Sequence, residues 1–320
     1  MALMNMVQAI NLALTEEMEQ DDSVVMLGED IGKDGGVFRI TDGLLEKFGP
    51  ERIVDTPLAE SGIVGAAIGM AAYGLKPVAE IQFMGFIYPS IDQIFSHAAR
   101  IRCRSRGRFT CPMVIRTPYG AGIKAPELHS ESTEALFCHM PGIKVVVPST
   151  PYNAKGLLIS SIRDPDPVVF LESTRLYRLI KEDVPEGDYA IELGKARIVR
   201  EGDDITVVAW GSMLHRAVQA AEGFDAEVID LMTLSPFDEE TIYKSVKKTG
   251  RVVIVHEAPK TCGFGAELSA SIAEHAILYL KAPVIRVAGY DTVMPLPKLE
   301  DYYVPNAARI QKALKEVMKY

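Results

Sequence analysis

The chain has 320 residues, 48% of them hydrophobic and 24% charged, with a net charge of −9 at pH 7. That length and balance fit two ordinary domains with a sizeable core. They leave no source for the basic surface that nonspecific nucleic-acid binding requires, and no apolar run approaches the ~20 residues of a membrane span.

The first helical pattern is Met6, Ala9, Ile10, Ala13 and Leu14. No basic segment precedes it, and Glu16, Glu17, Glu19, Asp21 and Asp22 follow at once, so it reads as an amphipathic helix and not as a signal peptide. Residues 24–27 form an apolar strand. The glycine-rich Gly32-Lys33-Asp34-Gly35-Gly36 after it matches neither GxGxxG nor GxxxxGK[ST] and is expected to be a flexible loop. A strand at 52–54 ends in a turn set by Pro57, and a helix opens on Glu60 and runs small and apolar to about residue 74. An apolar helix of that kind is expected to be buried. Glu60 then has two readings: a carboxylate tuned by desolvation at the edge of a cavity, or a charge that complements the positive end of a helix.

Further strands are expected at 78–81, 113–115, 144–147 and 168–171, each a near-continuous apolar run as in a sheet buried on both faces. Helical patterns at 89–104 and 151–162 lie between them, the α/β signature of a mostly parallel sheet. The first ends in five arginines, Arg100, Arg102, Arg104, Arg106 and Arg108, readable as an anion or acidic-partner site or as a solvated helix end. Residues 174–203 are charged and turn-rich, so the domains are placed at 1–185 and 195–320. The second starts with a strand at 205–211, continues as βα repeats with strands at 226–230, 252–256 and 284–287, and closes with a helix at 306–319. Gly263-Phe264-Gly265 reads as a turn that opens a helix. Cys103, Cys111, Cys138 and Cys262 lie far apart with no Cys-x-x-Cys, and the six histidines show no metal-ligand spacing. Reduced, mostly buried thiols in a cytoplasmic protein are the expectation.

The run Asp55-Thr56-Pro57-Leu58-Ala59-Glu60-Ser61-Gly62-Ile63 resembles the beta subunit of the thiamine-diphosphate-dependent first component of 2-oxo acid dehydrogenase complexes. So do Met26-Leu27-Gly28-Glu29-Asp30, Glu80-Ile81-Gln82-Phe83-Met84-Gly85-Phe86, Leu128-His129-Ser130, Pro141-Gly142-Ile143-Lys144-Val145-Val146, Val228-Ile229-Asp230-Leu231 and His256-Glu257-Ala258-Pro259, in order from about Met6 to the C-terminus. The resemblance implies a pyrimidine-binding domain followed by a transketolase C-terminal-type domain.

It also implies roles. Glu60 hydrogen-bonds a ring nitrogen of the cofactor's aminopyrimidine, Phe86 packs on that ring, and Leu58 lines the same pocket. His129 assists acyl transfer to a lipoyl group, work that suits an imidazole. Glu29, Gln82 and Asp92 match polar positions in or near a water-filled path between paired active sites. Asp164 and Asp166 match a loop that wraps a structural potassium ion in relatives, although two Asp-Pro pairs also make an ordinary turn; Asp166 departs from the Asn found in some relatives.

The family's diphosphate and magnesium motif, Gly-Asp-Gly followed some thirty residues later by Asn, is missing. In heterotetrameric members that site belongs to a separate alpha subunit. The resemblance therefore implies an α2β2 partner, a 2-oxo acid substrate and a lipoyl acyltransferase acceptor. The segment from Glu80 to Arg106 leans toward branched-chain members, with pyruvate members as the alternative. The rivals are another transketolase-like or sulfinate-type synthase half, and a scaffold subunit that has kept the α/β domains without the chemistry.

Overall fold

In the computed structural model, which describes residues 2–320, strand β1 (Ala2–Met4) leads into helix α1 (Met6–Gln20). The Gln8 amide donates to the Asn5 side chain and the Gln8 side chain accepts from the Asn5 amide, a reciprocal cap that fixes where α1 starts. Next come β2 (Val24–Gly28), α2 (Leu44–Phe48), β3 (Ile53–Asp55), α3 (Glu60–Ala72) and β4 (Lys76–Glu80). The single helix expected at 89–104 is instead a broken rod: a 3₁₀ turn at Met84–Ser90, a π turn at Gln93–His97, a second 3₁₀ turn at Ala98–Arg100 and a short α4 (Ile101–Arg104). Pro89 lies inside the first of these and cannot donate a ladder hydrogen bond.

The chain continues through β5 (Val114–Tyr119), a 3₁₀ turn at Glu127–His129, α5 (Glu134–Cys138), β6 (Lys144–Val146), α6 (Pro151–Arg163) and β7 (Val168–Ser173). Two strands the sequence pattern did not suggest, β8 (Glu182–Val184) and β9 (Arg197–Arg200), fall in the charged, turn-rich stretch 174–203. The second half is β10 (Ile205–Ala209), α7 (Ser212–Ala220), β11 (Ala226–Asp230), β12 (Thr233–Ser235), α8 (Glu239–Thr249), β13 (Val252–Pro259), α9 (Phe264–Ala276), β14 (Ile285–Gly289), α10 (Glu300–Tyr303) and α11 (Ala307–Val317).

Two sheets carry the fold. A seven-stranded sheet has the order β12-β6-β7-β5-β4-β2-β3 and is parallel except for β12 at its edge. A five-stranded sheet has the order β14-β13-β10-β11-β9 and is parallel except for β9. All residues of β2, β5 and β7 are buried, as parallel strands covered on both faces must be. Strand β12 comes from the second half of the chain but pairs in the first sheet. Core side chains also run without a break from Ile63, Ile115 and Phe137 to Trp210, Leu231 and Phe264. The two sheets are thus tied by both backbone and core.

Helix α3 departs from the expectation of full burial. Ile63, Val64, Ala67 and Ala71 face the core, whereas Gly62, Ala66 and Gly69 are exposed. An evenly apolar helix has no polar side to mark the solvent, so its pattern could not show which face is covered. The thiols also differ from expectation: Cys111 is buried and Cys138 half-buried, but Cys103 and Cys262 are exposed. Among the described residues no helix is long and apolar enough to cross a membrane.

Candidate active site

In open parallel sheets ligands sit at the carboxyl ends of the strands. Strand register places those ends side by side here: Gly28 pairs with Asp55 on one side and Glu80 on the other, and Glu80 pairs with Arg116. Glu29 follows β2 directly, Glu60 opens α3 after β3, and Gln82, Phe83 and Phe86 follow β4. The segment after β5 carries His129.

Glu60 is half-buried in the first turn of α3. Partial burial raises the proton affinity of the Glu29 carboxyl, and the charges of Asp30 and Glu60 raise it further. The two glutamates, 31 positions apart in sequence, therefore share one electrostatic environment. Gln82 donates to Asp30 at 3.3 Å, on the same rim. The loop after β2 is not free, contrary to expectation. The amides of Gly32 and Lys33 donate to the Asp55 carboxylate at 2.6 and 3.0 Å, and the Thr41 hydroxyl donates to the Ile31 carbonyl at 2.6 Å.

Phe83, Phe86 and His129 form one aromatic group. His129 lies 4.5 Å from Phe83 and 5.1 Å, edge-on, from Phe86, and the two phenyl rings are 5.6 Å apart. Phe86 is half-buried, and the Nδ1 of His129 is buried without a hydrogen-bond partner. Gly85 makes the contact possible. A Cβ there would lie 2.3 Å from the Leu128 carbonyl oxygen and 2.8 Å from its Cα, so only glycine lets the turn after β4 lie against the turn that carries His129. Tyr88 adds a tie by donating to Glu131 at 3.1 Å. Only the run of glycine and aromatic residues from Phe83 to Tyr88 hints at this docking in the sequence, and only in retrospect.

Other sequence-derived residues sit apart from this group. Leu58 is 72% exposed in the turn before α3, two positions before Glu60. Asp92 is exposed at the start of the π turn. The Asp164 carboxylate accepts from the Asp166 amide at 2.9 Å and pairs with the Lys144 ammonium, while Asp166 pairs with Arg102 at 2.6 Å. The loop is closed by its own contacts, as in an ordinary turn, and an ammonium pairs with the carboxylate of Asp164. Arg102 and Arg104 of the arginine run are likewise engaged, the latter on the Ser96 carbonyl at 2.7 Å. Among the described residues no cluster of three or more His, Cys, Asp or Glu side chains could hold a metal ion.

Beneath the rim lies a buried ion network that pattern reading missed. Arg116 donates from Nε and Nη2 to both oxygens of Glu172, at 2.8 and 2.7 Å, and from Nη1 to Glu80. The Tyr177 hydroxyl donates to Glu172 at 2.7 Å. Burial lifts the proton affinity of Glu80 more than the Arg116 charge lowers it. Its signal was a charge attached to each apolar strand: Glu80 ends β4, Arg116 lies within β5 and Glu172 is next to last in β7. A second polar group ties the two sheets: Asp230 accepts from Ser149 at 2.7 Å and from Asn153 at 3.1 Å, and Glu257 accepts from Ser212 at 2.9 Å and from the Ala121 amide.

Two families match the chain, the transketolase pyrimidine-binding domain over residues 2–180 and the transketolase C-terminal domain over residues 194–310. A protein of Acholeplasma laidlawii named pyruvate dehydrogenase E1 component subunit beta is 52% identical over 324 residues, covering 100% of this chain and 99% of that one. Proteins of the same name from Bacillus subtilis and Staphylococcus epidermidis are 51% and 49% identical over 325 residues, covering 100% of each chain. A solved structure titled split gene transketolase, inactive beta4 tetramer, superposes with a TM-score of 0.81 at 24% identity, covering 99% of both chains, and speaks for the fold alone.

Proposed function

We propose that this chain, which belongs to the beta subunits of the thiamine-diphosphate-dependent first component of 2-oxo acid dehydrogenase complexes, serves oxidation of pyruvate together with an alpha subunit. The identity of about half over whole chains with proteins named for pyruvate dehydrogenase favours pyruvate over the branched-chain substrates toward which the Glu80–Arg106 segment leaned. The partnership is inferred to be an α2β2 heterotetramer that passes its acyl group to a lipoyl acyltransferase.

The observation that carries the reading is that a pair of carboxylates and an imidazole–phenyl group both follow neighbouring strand ends of one sheet. That donor set fits an aminopyrimidine. Glu60 can hydrogen-bond a ring nitrogen, the half-buried Phe86 offers a face and excludes water, and His129 can move a proton beside them. Thiamine diphosphate, when bound, supplies the nucleophilic carbon and the electron sink. The proton affinity of Glu29 is raised by burial and by its acidic neighbours Asp30 and Glu60. The diphosphate and its magnesium are assigned to the alpha subunit.

The test is reconstitution with an alpha chain bearing the Gly-Asp-Gly motif and a panel of 2-oxo acids. Pyruvate should show the highest kcat/KM, ahead of branched-chain acids by on the order of tenfold or more, as a pocket that discriminates by one or two methylenes allows. A preference for a branched-chain acid would overturn the substrate assignment.

A further inference from the structure

The segment that carries His129 ends at Glu134, the first residue of α5. Glu134 is 0% exposed, and neither carboxyl oxygen has a hydrogen-bond partner. It lies at the seam between the two sheets. Its own backbone amide and the Trp210 indole are close enough to lower its proton affinity, yet neither is aligned as a hydrogen bond. Trp210 follows β10 in the second domain and stacks on His256 at 5.4 Å. The other titratable groups felt at this point are Glu257 of β13, Tyr119 of β5, Cys138 of α5 and Tyr303 of α10. Every one is acidic or neutral, so no cation compensates an ionised Glu134.

Ala135, Leu136, Cys138 and His139 line a cavity of about 830 Å³ whose far wall is Phe237 and the start of α9. Helix α5 therefore carries a buried acid at its start and borders free space along its length. Ser130, Ser132 and Thr133, just before it, are also buried or half-buried with hydroxyls that have no partner.

We propose that Glu134 is a positioning residue that works as an uncharged carboxylic acid: protonated, it holds α5 and the His129 segment against the second domain, and ionised, it lets them move into the cavity. Burial is the main physical cause. It pushes the carboxyl up to about 7, and the nearby Glu257 adds to the push. A charge at this seam would find no cation and little water, so neutralisation or displacement is the cheaper outcome. The link to catalysis rests on the reading of His129 given under Proposed function; the conformational part does not.

Trp210 is the chain's only tryptophan, so its fluorescence reports on Glu134 without labelling. In the full chain, emission followed from pH 5.5 to 9 should change with a midpoint near neutrality, and hydrogen exchange in 120–138, corrected for intrinsic rates, should rise across the same interval. Glu134→Gln keeps the shape without the charge, so it should hold the low-pH signal throughout. His256, buried beside the indole and pushed down to about 4, titrates below this window. Absence of a transition in the wild-type chain overturns the proposal with no variant needed, and so does an unchanged transition in Glu134→Gln. With the alpha subunit, the alkaline limb for lipoyl acylation should move up by about one pH unit or more in Glu134→Gln. A uniform loss with an unmoved limb refutes the catalytic link. Failure of every 2-oxo acid to react refutes the functional reading while the fluorescence and exchange results still decide the role of Glu134.

Discussion

Replacing Arg116 by Met tests whether the buried network beneath the rim holds the active-site strands in register. Arg116 and Glu172 are fully buried and Glu80 nearly so. Met has similar length and no charge, so the substitution opens little space but leaves two buried carboxylates facing each other. Breaking a buried pair by removing one partner costs about 3–5 kcal/mol. Against a total of about 5–15 kcal/mol this is a large share, and at about 2–4 °C per kcal/mol it corresponds to a fall in Tm of roughly 6–20 °C.

The sign of the pH dependence follows from Glu80. Burial already holds its folded-state value above the ordinary carboxyl range despite Arg116. Without the guanidinium it must climb further. A raised carboxyl contributes stability that is fully present below its unfolded value, about 4.3, and lost as pH rises through the folded value. The Arg116→Met deficit should therefore be smaller at pH 5.5 than at pH 8. Urea midpoints followed by circular dichroism at the two pH values measure it. Equal deficits at both would refute the reasoning, as would failure of added Glu80→Gln and Glu172→Gln to recover much of the loss.

Glu60→Gln should lower turnover by about 10²-fold or more while assembly with the alpha chain survives, as for a lost acid–base group; near-normal turnover would reduce Glu60 to a helix-end charge. His129→Ala should depress acylation of a lipoyl domain more than activity with an artificial oxidant that bypasses that step, since an interaction made in one transition state affects only that step. Equal losses in the two assays would remove the lipoyl-specific role. Gly85→Ala must push the Leu128 backbone away, and a displaced His129 should cost on the order of 10²-fold in lipoyl acylation; unchanged kinetics would show that the aromatic contact is incidental.

Much of this protein could be read from the chain itself. The near-continuous apolar runs at β2, β4, β5, β6 and β7 can only be strands covered on both faces, so the parallel sheet followed from composition at short range. The motifs around Glu60, Phe86 and His129 pointed to the family because chemistry at strand ends depends on short, local segments. Other features depended on contacts between distant residues. The return of β12 to the first sheet, the Gly85–Leu128 approach and the Arg116 network join segments from 36 to 90 positions apart, and no local pattern encodes them. The exposed face of α3 was hidden for another reason: an evenly apolar helix states that it is to be covered, but not by what. Tertiary structure also decided the surroundings of Glu134, an ordinary first-turn acid in sequence: burial raises its proton affinity, and the charge of Glu257, from β13 of the other sheet, raises it further.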